Sequence, residues 1–460
     1  METSFLLRSQ PYRKLIIVLL VTLLFSLYLY GVRQQFLYVN INRFKIDQNA
    51  YLEAAKLLKN SNYTDLTDRN RMPLYPFLLS LAYEPDLTDE AFFARGKLFN
   101  IGLSLLILPT LFWLFRRYLP LGTAVTLILI HIFTLYIFKA AYAQPELLFY
   151  LLSFIGFLLM GHLLHKPTGQ KTWGTAVLTG ILLGLTHLTK ASILPGLGIF
   201  IGTALLQAVI RLAKDHVRPI FNRQNLQYFA TPTLVLLFFL LTIWPYIQNS
   251  KERFGQYFYN VNSTFYIWYD SWDDVLAGTR AHGDRVGWPD LPPEEIPSAG
   301  KYFQEHSIAE VGQRIAKGLL TVLVGMATSY GYLKYLILLF GLVLGLFLFN
   351  RQRIKTILKE FPFLVLFSTG FFIVYVLLYA WYTPIANGNR LVLALFSPLT
   401  FTFTFIIYRL FDKQLVIKLS NNSKRTVHLG NLLNWTLGFI LLIDGYIILT
   451  ERISSMYGGF

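Results

Sequence analysis

Hydrophobic positions along this chain come in long unbroken runs, neither the alternation of a half-buried strand nor the narrow stripe of a soluble helix. A charge-free stretch of roughly 18 or more residues crosses the hydrocarbon core as a helix, because each backbone N–H and C=O must find its partner within the segment. The runs predict helices at about 14–30, 98–115, 121–138, 146–164, 174–189, 191–210, 228–248, 332–349, 362–381, 391–410 and 429–449. The expected fold is an all-α polytopic membrane protein with about eleven transmembrane helices, organised as a single membrane domain over residues 1–460.

Two long polar segments interrupt the apolar runs, at 31–97 and 249–331. In the first, Tyr51, Ala54, Ala55 and Leu58 fall at helical spacing within 47–58, the pattern of a helix lying on the membrane interface. In the second, charges thin out along 308–330, a stretch also expected to lie along the surface. The connections that alternate with these on the other side of the membrane are short and basic, with Arg13 and Lys14, Arg116 and Arg117, Lys166, Arg211 and Lys214, Arg351 to Lys359, and Arg409. By the positive-inside rule these face the cytoplasm, so the N-terminus is expected inside and the long loops outside, as in a multi-pass protein of a bacterial inner membrane. The first run is preceded by Arg8, Arg13 and Lys14 and followed by no small-residue cleavage site, so it reads as a retained anchor.

Composition agrees: of 460 residues, 54% are hydrophobic and 14% charged. The net charge of +16 would suit nucleic acid, but the basic residues are scattered in clusters between apolar runs, which excludes that partner and leaves membrane lipids. With no cysteine, disulfides, thiolate catalysis and thiolate metal sites are excluded.

A charge at bilayer depth costs about 2.5–3.5 kcal/mol on insertion scales, so it needs a partner or a role. Glu146, in Gln144-Pro145-Glu146-Leu147-Leu148, opens a predicted helix, where it opposes the positive dipole end and could be an interfacial acid or a functional one. Lys190, between two spans with almost no loop, can snorkel to water or hold a phosphate. Arg390, in Asn387-Gly388-Asn389-Arg390, has the same two readings. In the first loop, Asp47 can accept a proton from an attacking hydroxyl and Arg71 can stabilise a phosphate leaving group, though each alone is more often a solvated charge. In the second, Trp268, Tyr269 and Asp270 combine flat apolar faces with an acceptor, suited to a sugar ring or to an interfacial aromatic belt. Gly180 with Gly184, and Gly341 with Gly345, have the spacing of close helix packing. No histidine pairing suited to a metal, no phosphate-cradling Gly-rich loop, no nucleophile elbow and no internal repeat is present.

As a set, these residues resemble the polytopic glycosyltransferases of the GT-C class, in particular protein O-mannosyltransferases and lipid A aminoarabinose transferases. The matching pieces are Asp47 with Tyr51 and Ala54, Arg71-Met72-Pro73-Leu74-Tyr75-Pro76, Gln144-Pro145-Glu146-Leu147-Leu148-Phe149, Leu188-Thr189-Lys190, Gly255 after Trp244-Pro245, and Arg390 ahead of Pro398. Many relatives have Asp at the place of Glu146 and Arg-Tyr at the place of Arg390-Leu391. The resemblance implies transfer of a hexose or pentose from a polyprenyl-phosphate donor to a glycan, lipid or protein acceptor at the outer membrane face, with inversion. It makes Asp47 and Glu146 the catalytic carboxylates, either placing the acceptor or holding a divalent cation such as Mg or Mn. Arg71, Lys190 and Arg390 would bind the donor phosphate, and Tyr75, Trp268, Tyr269 and Asp270 the acceptor or sugar. A transporter or flippase of a lipid-linked sugar is the alternative class, since intramembrane charges also line transport paths. A glycan ligase or polymerase is a third reading.

Overall fold

The structure, a computed structural model, describes residues 10–169, 172–214, 223–328, 332–386, 390–410, 414–420 and 423–458. All eleven expected spans fall on helices: Gln10–Gln34, Asp89–Tyr118, Leu121–His131, Glu146–His165, Thr172–Thr189, Leu194–Lys214, Arg223–Phe254, Tyr332–Phe349, Pro362–Tyr382, Phe396–Leu410 and Leu429–Ile447. Among the described residues, eight helices are long and apolar enough to cross a membrane, or nine if a pair bent by 101°, Lys334–Phe349 with Arg351–Glu360, is one span. Thr172–Thr189 and Phe396–Leu410 are not among the eight. The latter has only 15 residues, and at about 1.5 Å per residue it falls short of a hydrocarbon core of about 30 Å. Large apolar side chains such as Leu106 and Leu442 lie 71% and 74% exposed, as expected when the surrounding medium is lipid. The protein is a helical, multi-pass membrane protein. Its only strands among the described residues form an antiparallel hairpin, Gln414–Ser420 with Ser423–His428, pairing Leu415 with Val427.

The chain forms two compact units, one of residues 1–48, 89–143 and 413–460, the other of 49–88 and 144–412. In the first, the Tyr28 hydroxyl and Ser104 Oγ join Gln10–Gln34 to Asp89–Tyr118 at 2.7 Å. Asp89 and Glu90 at the start of the latter helix face Arg43 at 2.5 and 3.4 Å. Asn434 donates to Thr123 Oγ1 at 3.2 Å, fastening Leu429–Ile447 to Leu121–His131.

In the second unit, Thr172–Thr189 packs along Arg223–Phe254, and the packing reading of Gly180 and Gly184 is borne out. A Cβ on Gly180 would come within 2.5 Å of the Val235 carbonyl, and one on Gly184 within 2.6 Å of Thr242 Cβ. Gly180→Val is therefore expected to destabilise by about 1–3 kcal/mol through overpacking, read as a lowered thermal midpoint in detergent. Gly341 and Gly345 do not pack: a Cβ at either would meet nothing within 4 Å among the described residues. Gly341→Leu should accordingly leave the midpoint in place. The stretch expected along the surface forms the helix Ile308–Thr328, which packs against Pro362–Tyr382, with Gly318 abutting the Ala380 backbone.

The second long loop is itself folded. The helix Arg223–Phe254 ends at Gly255, whose φ of +73° is the left-handed conformation that favours glycine after a helix. Beyond it, Tyr259, Val261, Phe265, Tyr266 and Val275 bury a small aromatic core. The first loop's segment 65–72 is laced to this fold. Arg69 O accepts from Val261 N at 2.8 Å, Asn70 O from Asn260 Nδ2 at 3.2 Å, and Arg69 Nη1 donates to the Tyr266 hydroxyl at 3.3 Å. Arg253 adds an ion pair with Asp65.

Candidate functional site

Glu146 is the first residue of its helix, with Pro145 as the preceding cap residue. A proline there loses no helix hydrogen bond, and an acid just inside opposes the dipole. Glu146 is nonetheless 2% exposed, which is not how a purely interfacial acid sits. Its Oε1 accepts a hydrogen bond from Lys190 Nζ at 3.0 Å. Lys190 lies at the break where Thr172–Thr189 ends, in extended backbone (φ −156°, ψ 128°), before the short 3-10 turn Ala191–Ile193. Pro195, in the first turn of the next helix, suits a chain that restarts there. The Tyr375 hydroxyl braces this turn by donating to Ser192 O at 2.6 Å.

Tyr75 belongs to the same ensemble. It is fully buried on the short helix Leu74–Ser80. Burial first, and then the negative charges of Glu146 and Tyr51, hold its phenol far above the ordinary value, so it stays a neutral hydroxyl. Its ring meets Tyr51 edge-on at 5.6 Å, and the Arg71 guanidinium lies over Tyr51 at 5.5 Å. Arg71, Tyr51, Tyr75, Glu146 and Lys190 thus form one run of neighbours within one unit, a carboxylate between aromatic rings and two cations. Of the sequence candidates, Arg71, Tyr75, Glu146 and Lys190 are brought together.

Asp47 belongs to the other unit. It and Ile46 both sit in left-handed backbone, φ 64° and 56°, a conformation that costs about 1–3 kcal/mol outside glycine and persists where the surroundings impose it. The surroundings are two amides. Asn40 Nδ2 donates to Gln48 Oε1 at 2.8 Å and to Ala141 O at 2.7 Å, while Gln48 Nε2 returns a bond to Asn40 Oδ1 at 2.7 Å. Ala143 N closes the cradle on Gln48 Oε1 at 3.0 Å. Lys97, 6% exposed, donates to Phe36 O at 2.9 Å and Asn40 O at 3.0 Å. Sequence reasoning passes over all three. Lys97 alone carries a signal, a cation at the head of a long apolar run.

The side chain of Arg390 and residues 387–389 lie outside the described residues. Trp268, Tyr269 and Asp270 stand in the second loop with partners of their own. Trp268 packs against Tyr302, Phe303 and Trp381. The Tyr269 hydroxyl accepts from Thr279 N at 2.9 Å. Asp270 accepts from Arg314 Nη1 at 2.8 Å and the Tyr302 hydroxyl at 3.0 Å, and its Oδ2 faces His306 Nε2 at 2.9 Å.

His306 makes this cluster pH-sensitive. Burial alone would lower its imidazole, but hydrogen bonds to Tyr302 O and Asp270, with the charges of Asp270 and Glu310, raise it above its ordinary value of about 6.5. Both ring nitrogens face acceptors at 2.9 Å, so only the doubly protonated ring satisfies both. Because the folded value is the raised one, its stabilisation is complete below about pH 6.5 and fades as pH climbs through that higher folded value. His306→Gln should lower the unfolding midpoint most in acid, the gap from the parent closing as pH rises. A gap independent of pH would contradict the assignment.

No protein-family model matches the chain, and no curated protein is found similar to it. Among solved structures it is similar to the oligosaccharyltransferase of Archaeoglobus fulgidus in complex with Zn and sulfate, at a TM-score of 0.43 and 15% identity, covering 95% of this chain and 53% of that one. The chain thus spans about half the length of that transferase. It is also similar to ArnT from Cupriavidus metallidurans bound to undecaprenyl phosphate, at a TM-score of 0.33 and 14% identity over 80% of this chain and 77% of that one. The first carries a glycosyl-transfer name, as the sequence resemblance leads one to expect. At these TM-scores neither likeness decides the chemistry, for which the site's own geometry has to speak.

A divalent cation is held by several oxygen or nitrogen ligands standing close together. Among the described residues no three His, Cys, Asp or Glu side chains stand close enough to hold one. One Glu146 oxygen, Oε1, faces the Lys190 ammonium, so the protein itself supplies positive charge at this carboxylate.

Proposed function

We propose that the chain is a membrane glycosyltransferase that moves a hexose or pentose from a polyprenyl-phosphate donor to an acceptor at the extracytoplasmic face, with its N-terminus in the cytoplasm. The observation that carries the proposal is the pair of buried Glu146 with half-buried Lys190, near enough to Tyr75 for the carboxylate's charge to act on that phenol. A buried carboxylate aims the lysine that faces it, and the Arg71 guanidinium over the Tyr51 ring adds positive charge of the kind an anionic ligand calls for.

In this reading the acceptor hydroxyl attacks the anomeric carbon as its proton passes to Asp47. The bond from that carbon to the phosphate oxygen breaks, and the electron pair leaves with the polyprenyl phosphate. Lys190 and Arg71 stabilise the charge that develops on the leaving oxygen, and Arg390 is proposed as a further cation. Glu146 holds Lys190 in place, while Tyr75, as a neutral donor, can bond a sugar oxygen. Attack opposite the leaving group inverts the anomeric centre.

The test is incubation of the purified protein with a panel of polyprenyl-phosphate sugars and a search for the glycosylated product. Transfer surviving intact in both Asp47→Asn and Arg71→Ala would sink the assignment. Since Lys190 already supplies the charge at Glu146, transfer is expected to continue after EDTA treatment, with Mg or Mn restoring little; loss on chelation and recovery with Mn would show that a metal is required.

A further inference from the structure

The aromatic and acidic residues of the second long loop do more than brace one another: they line a pocket of about 280 Å³. That lies just below the range for sites that take drug-sized molecules, about 300–1,000 Å³, and suits a ligand as small as a sugar ring. Trp268 and Tyr269, both half-buried, supply apolar surface. Asp270, Asp274, Glu295 and Glu305 supply carboxylate acceptors around it.

The charges are unequally committed. Lys301 faces Glu305 at 3.8 Å, and His306 faces Asp270 at 2.9 Å. Asp274 Oδ2 accepts from Ser271 Oγ at 2.6 Å, with further lone pairs exposed. Among the described residues the Glu295 carboxylate has no ionic or hydrogen-bond partner. The lining holds four carboxylates against one lysine and one histidine, and even with Arg314, which faces Asp270 from behind the lining, the acids outnumber the cations, so the field is negative. Such a field repels phosphorylated and uronic sugars and favours hydroxyl or ammonium donors.

From this geometry we infer that the pocket binds a saccharide ring that is neutral or amine-bearing, as a subsite for the acceptor glycan. The ring's C–H face lies against the aromatic surface, its hydroxyls donate to Asp274 and Glu295, and an amine, where present, pairs with Glu295. The acceptor role rests on the glycosyl-transfer reading; the binding does not.

The test is saturation-transfer NMR on the intact protein in nanodiscs, with methyl glucoside, methyl glucosaminide and methyl glucuronide as probes. Signal is expected from the first two, stronger from the aminated sugar, and none from the glucuronide. Glu295→Gln, a substitution at an exposed side chain, should erase the preference for the amine, and Trp268→Leu should remove both signals. Because Trp268 also packs against Tyr302 and Trp381, Asp274→Asn with Glu295→Gln is the second variant, expected to weaken both sugars several-fold. Equal signal from the glucuronide, or sugar binding unchanged in the Asp274/Glu295 double variant, would overturn the proposal. A Lys190→Ala protein should keep these signals while losing transfer. Binding without any transfer in the parent would therefore leave the pocket standing and strike only the catalytic reading.

Discussion

Lys190→Ala is expected to lower the rate of sugar transfer by about 10²–10³, the loss typical when one preorganised donor to a developing negative charge is removed. It should also cost stability. Glu146 would then be a buried carboxylate stripped of the ammonium that faces it at 3.0 Å, and breaking one side of a buried pair costs about 3–5 kcal/mol. Replacing both partners, Glu146→Gln with Lys190→Met, removes the charge along with its counter-charge and should recover most of that stability, since a buried pair is worth little more than a well-packed neutral one. Transfer should not return, because the lysine proposed to stabilise the leaving phosphate is still missing. Recovery of transfer in the double variant would mean that the pair is structural.

Asp47→Asn is expected to reduce kcat by about 10²–10⁴, the usual contribution of a general base, with KM for the donor nearly unchanged. The substitution is a clean one for a backbone reason. Asp47 sits at φ 64°, and asparagine is among the few residues that tolerate left-handed backbone, so the turn should survive. Asp47→Ala would add strain to the chemical loss and confuse the two. Removing the amide cradle offers a contrast: Gln48→Leu leaves the carboxylate present but takes away bonds at 2.7–3.0 Å that hold the turn. A drop in kcat without a change in the pH profile would mark Gln48 as a positioning residue.

The membrane architecture was legible because its cause is strong and local. A lipid-facing helix has to be apolar along its whole length, so the runs that became Asp89–Tyr118 or Pro362–Tyr382 could not be mistaken for anything else. The helix at Gln48–Asn60 was readable for a similar reason, from Tyr51, Ala54, Ala55 and Leu58 on one face. Glu146 and Lys190 stood out as charges where charge is expensive, but their meeting across 44 positions in sequence is a fact of packing that no local pattern carries. Gly180 and Gly341 show the same limit. Each opens an identical four-residue glycine spacing, yet one faces the Val235 carbonyl and the other meets nothing within 4 Å among the described residues, because spacing sets which side of a helix is smooth and says nothing about what lies opposite. Asn40 and Gln48 were invisible, being neutral amides whose role exists only in their mutual hydrogen bonds. The second loop's fold was hidden too, since its core is made of the same aromatics that would form an interfacial belt.

The central claim is that charges gathered around Glu146 serve bond-making rather than passage of a lipid-linked sugar. The most direct measurement reconstitutes the protein in vesicles with a polyprenyl-phosphate sugar labelled in both sugar and lipid, and follows the two labels together. The account predicts that the sugar label moves into a new glycosidic product while free polyprenyl phosphate accumulates in step, and that Lys190→Ala stops both. Movement of the doubly labelled lipid across the bilayer intact, with no free polyprenyl phosphate formed, would contradict it.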